Sequence, residues 1–275
     1  MLTTAEILKK YSFNTKKSFG QNFLLQTDLL AKIVSYAKLN KDCEILEVGP
    51  GLGSLTAAIL EQKPKKLISV EADGECVDIL NKEVKPFFDN FEVINGDALL
   101  LDERQLFNNK FNIVANLPYN IGTSLLLKWI KNCSDKIENM TLLLQKEVVE
   151  RITAKPNTKE YGRLSVLCQY VYKTKKCFDI SPNAFYPKPK VTSSLVRLEL
   201  KKDVDRFVLD KLFYITSIFF RQKRKTVRNN IKNSQIEPKI LQKVGIDANL
   251  RAESLAVDDF VAISKLLSSS KNSEM

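Results

Sequence analysis

The tetrapeptide Asn116-Leu117-Pro118-Tyr119 closes a short apolar run, Phe111-Asn112-Ile113-Val114-Ala115, which predicts a buried strand. An amide, a proline and an aromatic ring at such a strand end suit a flat heterocycle that carries an exocyclic amine. The Asn116 side-chain carbonyl can accept one amine hydrogen. Pro118 restricts the local turn, so a backbone carbonyl at Leu117 or Pro118 can accept the other. The Tyr119 ring can stack on the face of the base. The same four residues also read as a strand that ends in a Pro turn, with Asn as the turn residue and Tyr as core filler.

A second motif precedes this one. Glu44-Ile45-Leu46-Glu47-Val48 reads as a strand, Gly49-Pro50-Gly51-Leu52-Gly53 as a glycine turn, and Ser54 to Leu60 as the start of a helix. Strand, turn and helix form the first unit of a doubly wound sheet. The spacing is G-x-G-x-G rather than the dinucleotide G-x-G-x-x-G, and Pro50 removes a donor that a pyrophosphate would use. Both features favour a ligand without a pyrophosphate. The next strand, from Lys66, ends at Glu71, placed to accept both ribose hydroxyls. The one after it, Phe91 to Asn95, runs into Gly96-Asp97-Ala98, where a carboxylate could accept a hydrogen from an adenine amine. Each acid alone also reads as a solvated strand end; three strand ends in sequence order describe a nucleoside site at the carboxyl edge of a parallel sheet.

Taken together, Glu47 to Gly53, Gly96-Asp97-Ala98 and Asn116 to Tyr119 resemble the ribosomal RNA adenine dimethyltransferases, above all the bacterial small-subunit enzymes whose loss gives kasugamycin resistance. The likeness runs from about Lys17 to about Leu255. It includes Ser18 to Leu24, Lys155-Pro156, Tyr161 to Ser165, Phe185-Tyr186-Pro187-Lys188-Pro189-Lys190-Val191, and Arg221 to Thr226. Phe19 stands where Leu is frequent, and Asn22 where His also occurs.

The resemblance implies S-adenosylmethionine as methyl donor and adenosine in rRNA as acceptor. Asn116, Leu117, Pro118 and Tyr119 then form the catalytic loop, with Phe185 as a second stacking residue; on its own Phe185 also reads as a plug beneath the Pro-rich loop. Asn22, Leu24, Gly49, Gly51, Glu71, Asp97, Ala98 and Asn116 become the cofactor contacts, and no metal is expected. The implied substrate is 16S rRNA within the immature small subunit, where two neighbouring adenosines of a hairpin are dimethylated. Three alternatives stand beside it: a large-subunit methylase of the macrolide-resistance type, a DNA adenine methylase, and an assembly factor that binds pre-rRNA without needing to methylate it.

Composition is consistent with that reading. A formal net charge of +11 on 275 residues points to a polyanionic partner. Arg221, Lys223, Arg224, Lys225 and Arg228 follow one another without an acid, and are expected on or beside one helix that tracks phosphates. Arg221, Lys225 and Arg228 would share a side of it. Histidine is absent, which excludes Ser-His-Asp and Cys-His catalysis. The five cysteines are scattered and read as reduced. No apolar run reaches the length of a membrane span, and the N-terminus lacks the regions of a signal peptide, so a cytoplasmic monomer is expected.

These sites need a frame. Strand–helix alternation predicts an α/β, doubly wound (class I, Rossmann-like) methyltransferase domain over residues 1–202. Residues 1 to about 20 read as a basic, mostly polar arm. Leu164–Tyr172 and Val191–Leu200 could pair as late strands around a Pro-fixed loop. A small all-helical domain is expected over 203–275, with a frayed tail from Ser268.

Overall fold

The computed structural model describes residues 2–232 and 234–269. Its sheet order is β4-β3-β2-β5-β6-β9-β7, where β1 is Phe23–Leu24, β2 Glu44–Val48, β3 Lys66–Glu71, β4 Phe91–Asn95, β5 Phe111–Asn116, β6 Ile137–Gln145, β7 Tyr172–Ile180, β8 Phe185–Tyr186 and β9 Ser193–Leu200. Strands β2 to β6 are parallel to their neighbours, and β9 runs antiparallel to β6. The chain winds outward from β2 through β3 to β4, then returns to β5 on the other side of β2. That reversal opens a crevice at the carboxyl ends of β2 and β5, where doubly wound sheets bind ligands. Strands β2, β3 and β5 are buried almost throughout because the helices cover both faces. Ile45, Leu67, Phe111, Ile113 and Leu142 are all fully buried.

The helices are α1 (Thr4–Lys10), α2 (Thr27–Ala37), α3 (Ser54–Leu60), α4 (Gly74–Glu83), α5 (Gly122–Cys133), α6 (Lys146–Thr153), α7 (Arg163–Val171), α8 (Arg206–Phe219), α9 (Val227–Ile231), α10 (Pro238–Lys243) and α11 (Val257–Ser269). The sheet is therefore doubly wound as expected, and an all-helical layer follows it.

Four expectations change. Residues 163–171 form α7, not a strand. A continuous apolar run cannot separate the two by pattern alone. Here the Gly162 N–H donates to Ser165 Oγ, which in turn donates to the Arg151 carbonyl, and this pins a first helical turn. The strands that complete the sheet are instead β7 and β9. Second, the N-terminal arm is folded. Thr3 and Glu6 cap α1 reciprocally, and Ile7 and Phe13 bury themselves against Phe23, Leu52, Cys76 and Ile79. Third, the chain divides into two compact units: residues up to Val149 with Lys175–Leu200, and Glu150–Thr174 with residues from Lys201 onward. A single boundary after residue 202 omits Glu150–Thr174, whose α7 packs on α8 and α11.

The fourth concerns the basic run. Helix α8 stops at Phe219, so Arg221, Lys223, Arg224 and Lys225 lie in the turn before α9, and only Arg228 is helical. Asn230 enforces the break, donating from Nδ2 to the Phe219 and Gln222 carbonyls (2.8 and 3.2 Å). The expected shared helix face does not form. All five cations are nonetheless exposed. Of the expected frayed tail, residues 270–275 lie outside the described residues.

At the centre of the sheet, the buried Glu47 joins three elements. Its Oε2 accepts from Thr56 on α3 and Ser69 on β3, both at 2.7 Å, while Oε1 is buried without a hydrogen-bond partner among the described residues. Burial pushes this carboxyl up to about 7, against the two hydroxyl hydrogen bonds that favour its charged form. In the unfolded chain it ionises near its ordinary value. Stability is therefore lost as pH rises from that value through about 7, and stays level above. The loss approaches about 3 kcal/mol as an upper figure. Glu47→Gln should flatten stability between pH 5 and pH 8 relative to wild type, as measured by chemical denaturation at both values.

Candidate active site

The glycine turn works because Gly49 and Gly51 both adopt positive φ, +71° and +56°. A side chain would be strained there. A Cβ on Gly51 would also collide, standing 2.5 Å from Phe23 Cε1, and one on Gly49 would be tight, 3.3 Å from Pro118 Cδ. The backbone thus passes close beneath both the N-terminal arm and the Asn116–Tyr119 loop.

Glu71 ties these parts together. Its Oε2 accepts the Gly51 N–H at 2.9 Å and its Oε1 the Asp73 N–H at 3.0 Å. Its backbone carbonyl accepts the Gly96 N–H and Asn95 Nδ2, both at 2.9 Å. One residue therefore fixes the turn after β2, its own turn after β3 and the turn after β4. Burial pushes its carboxyl up, and the Asp73 and Gly51 N–H groups oppose that. Each carboxylate oxygen has further lone-pair capacity for a ligand hydroxyl.

Two adjoining cavities open here, sharing Phe19, Gly49, Glu71 and Pro118 as walls. One is lined also by Asn22, Leu24, Gly51, Asn116, Leu117 and Tyr119. The other is lined by Val70, Asn95, Asp97, Ala98 and Ile121. Every expected cofactor residue thus reaches one cavity or the other. Asp97 is exposed and its Oδ1 accepts the Leu99 N–H at 2.8 Å. Ala98 is buried, and its carbonyl accepts Lys128 Nζ at 2.7 Å. A glycine cradle, a buried carboxylate and a second acid at the far end fit S-adenosylmethionine, whose nucleoside and amino-acid ends need different partners.

In the Asn116–Tyr119 loop, Asn116 Nδ2 donates to the Asn22 carbonyl at 3.0 Å. That uses one of the two amide hydrogens, orients the group, and leaves Oδ1 without a partner among the described residues. The Pro118 carbonyl already accepts the Ile121 and Gly122 N–H groups (3.2 and 3.1 Å). The Leu117 carbonyl has no such partner among the described residues, which selects it over Pro118 as the second acceptor. Tyr119 is half-buried, its hydroxyl 2.6 Å from Ser193 Oγ, and burial raises its phenol. Phe185 lies elsewhere. It is 4% exposed and packs in the core with Leu24, Leu143, Ala184 and Leu195, and it does not line either cavity.

Sequence reasoning missed a clamp on the arm. Lys16 Nζ lies 2.7 Å from Asp73 Oδ1 and 3.0 Å from Glu75, and Gln21 Nε2 donates to Asp73 Oδ2 at 2.8 Å. Burial raises the Asp73 carboxyl, but the Lys16 and Gln21 hydrogen bonds outweigh it and leave the group below its ordinary value. Asp73 was legible only as a helix N-cap; its partners are 52 and 57 residues away. Lys128 was missed for the same reason. It also pairs with the buried Glu103 at 2.8 Å.

A family model for ribosomal RNA adenine dimethylase matches residues 12–269. The chain is 39% identical over 271 residues to a Clostridium botulinum protein named ribosomal RNA small subunit methyltransferase A, covering 96% of this chain and 98% of that one. A crystal structure of a dimethyladenosine transferase from Plasmodium falciparum superposes with a TM-score of 0.78 at 25% identity, over 91% of this chain and 98% of that one. The 23S rRNA methyltransferase ErmE shares the fold, with a TM-score of 0.67 at 23% identity over 89% and 98%. The family model spans most of the chain and the relative is similar over nearly its whole length: the chain belongs to the ribosomal RNA adenine dimethylase family and is an rRNA adenine dimethyltransferase.

Proposed function

We propose that the protein dimethylates the exocyclic amines of two adjacent adenosines in a hairpin near the 3′ end of 16S rRNA, within the immature small ribosomal subunit, with S-adenosylmethionine as donor. It would act as a cytoplasmic monomer in small-subunit biogenesis. The observation that carries this reading is the Asn116 amide, whose orientation is set by one N–H bond to the Asn22 carbonyl. The remaining oxygen can only accept, which is what an amine substrate requires.

Gly49, Gly51, Glu71, Asp97 and Ala98, closed over by Asn22 and Leu24, would hold S-adenosylmethionine, which supplies an electrophilic methyl group when bound. The chain supplies the rest. Adenine's exocyclic nitrogen is a poor nucleophile because its lone pair is drawn into the ring. Asn116 Oδ1 and the Leu117 carbonyl would each accept one of its hydrogens, localising that lone pair and aiming it along the transfer axis. As positive charge develops on the nitrogen, the same two oxygens and the Tyr119 ring face stabilise it. The released proton can pass to water, so no imidazole is needed. Phe185 would have to leave its core contacts to become the second stacking face, so Tyr119 is the face the geometry supports.

Asn116→Ala should lower single-turnover methyl transfer by about 100-fold or more, the scale of lost orientation, while S-adenosylmethionine affinity measured by calorimetry stays within a few-fold. Transfer within a few-fold of wild type would rule out the amine clamp. The basic turn gives a separate test. Arg221, Arg224, Lys225 and Arg228 are exposed, with no ion-pair partner among the described residues. We assign them, with Lys223, to rRNA phosphates. Arg221→Ala/Arg224→Ala/Lys225→Ala/Arg228→Ala should keep cofactor affinity and bind the small subunit more weakly. Its log–log salt slope should be shallower by about 3, at roughly 0.7–0.9 per contact. Subunit binding across a salt series measures this, and an unaltered slope would leave the turn as solvated surface.

A further inference from the structure

We propose that Tyr186, with Lys188 and Lys190, binds an unpaired ribonucleotide flanking the adenosine that enters the site. The inference rests on the rRNA reading above and adds a contact for the neighbouring nucleotide. It starts from the pairing of β8 with β1, in which Leu24 stands opposite Phe185 and Phe23 opposite Tyr186. Residues directly opposite in an antiparallel pair share a face of the ribbon. Phe185 and Leu24 both turn into the core. Tyr186 takes the other face, opposite Phe23, a wall residue of the catalytic cavity. The preceding residue, Asn22, holds the Asn116 amide. Tyr186 is thus two short links from the catalytic oxygen, yet it is 51% exposed and lines neither cavity. A single exposed aromatic needs no explanation in itself. Its surroundings supply one.

Lys188 and Lys190 are exposed beside it and have no ion-pair partner among the described residues. Pro187 and Pro189 restrict the backbone between them. The loop is also anchored at both ends. The Leu25 N–H donates to the Ala184 carbonyl at 3.4 Å, and the Lys146 N–H donates to the Thr192 carbonyl at 2.9 Å. One residue further, Ser193 meets the Tyr119 hydroxyl. A ring face flanked by two unpaired cations on a fixed loop is the combination that single-stranded RNA recognises, base on ring and phosphate on lysine. Because the ring stands outside the cavity, its partner is the neighbour of the target adenosine.

The test uses the full-length protein and an RNA hairpin, with 2-aminopurine placed next to the target adenosine. Stacking on Tyr186 should quench the probe on binding. Tyr186→Ala should abolish the quench and raise both the RNA Kd and KM about 5- to 150-fold, the range for one lost stacking contact. Its kcat should stay within two-fold and S-adenosylmethionine affinity should not change. Tyr186→Phe should restore both quench and affinity. Lys188→Ala/Lys190→Ala should reduce the salt slope by about 1.4, for two single-strand contacts. Unchanged quench and KM in Tyr186→Ala would overturn the proposal. So would a fall in kcat equal to that in kcat/KM, which would put the ring on the reacting base. Binding is read apart from turnover, so a wild-type protein that binds the hairpin without methylating it would count against the function proposed above and leave the Tyr186 comparison decisive.

Discussion

Glu71 is the residue on which the site's geometry turns. Its two carboxylate oxygens and its own carbonyl take backbone N–H groups from Gly51, Asp73 and Gly96. Three loops that leave three different strands are thereby held in one register. Backbone donors at loop ends are costly to bury unpaired, so removing this acceptor would release the turns as well as a ligand contact. The effect continues through Asp73, whose side chain caps α4 and also takes Lys16 and Gln21. The arm that carries Asn22 and Phe23 is thus fastened to the same junction. From Asn22 the chain of contacts passes to Asn116. The glycine turn and the Asn116 amide are in this way parts of a single hydrogen-bonded frame.

The absence of histidine becomes intelligible in that frame. Transfer of a methyl group to an amine that is already weakly nucleophilic calls for orientation and for acceptors aimed at developing positive charge. It does not call for a base of near-neutral pKa. In the proposed mechanism those acceptors are an amide oxygen, a backbone carbonyl and an aromatic face, each fixed by a partner remote in sequence. Asn22 fixes the first. The Leu117 N–H, donating to the Leu143 carbonyl at 3.2 Å, fixes the second. Ser193 fixes the third. None of these acceptors changes protonation near neutral pH.

Much of this was legible in the chain. The five parallel strands, the glycine turn and the strand-end residues Glu71, Asp97 and Asn116 follow from local pattern, because strand, turn and helix signals agree over that stretch. Four features were not legible, each for a physical reason. Residues 163–171 are apolar nearly all round, so period could not separate strand from helix. The arm's burial depends on Ile7 and Phe13 meeting Phe23, Leu52 of the glycine turn and side chains of α4, a tertiary fact. The break in the basic run is imposed by Asn230 from the following helix. Phe185 and Tyr186 are adjacent aromatics, and only the register against β1 decides which one enters the core.

The identity of the methylated product decides the proposed reaction. Purified protein, S-adenosylmethionine carrying an isotopically labelled methyl group and immature small subunits can be incubated together, and the rRNA digested to nucleosides for mass spectrometry. Labelled N6,N6-dimethyladenosine, two methyl groups on one exocyclic nitrogen, is expected in a fragment containing two adjacent adenosines. Label on a ring nitrogen, on another base or on a ribose hydroxyl would contradict that reaction, as would intact subunits that bind the protein and acquire no label.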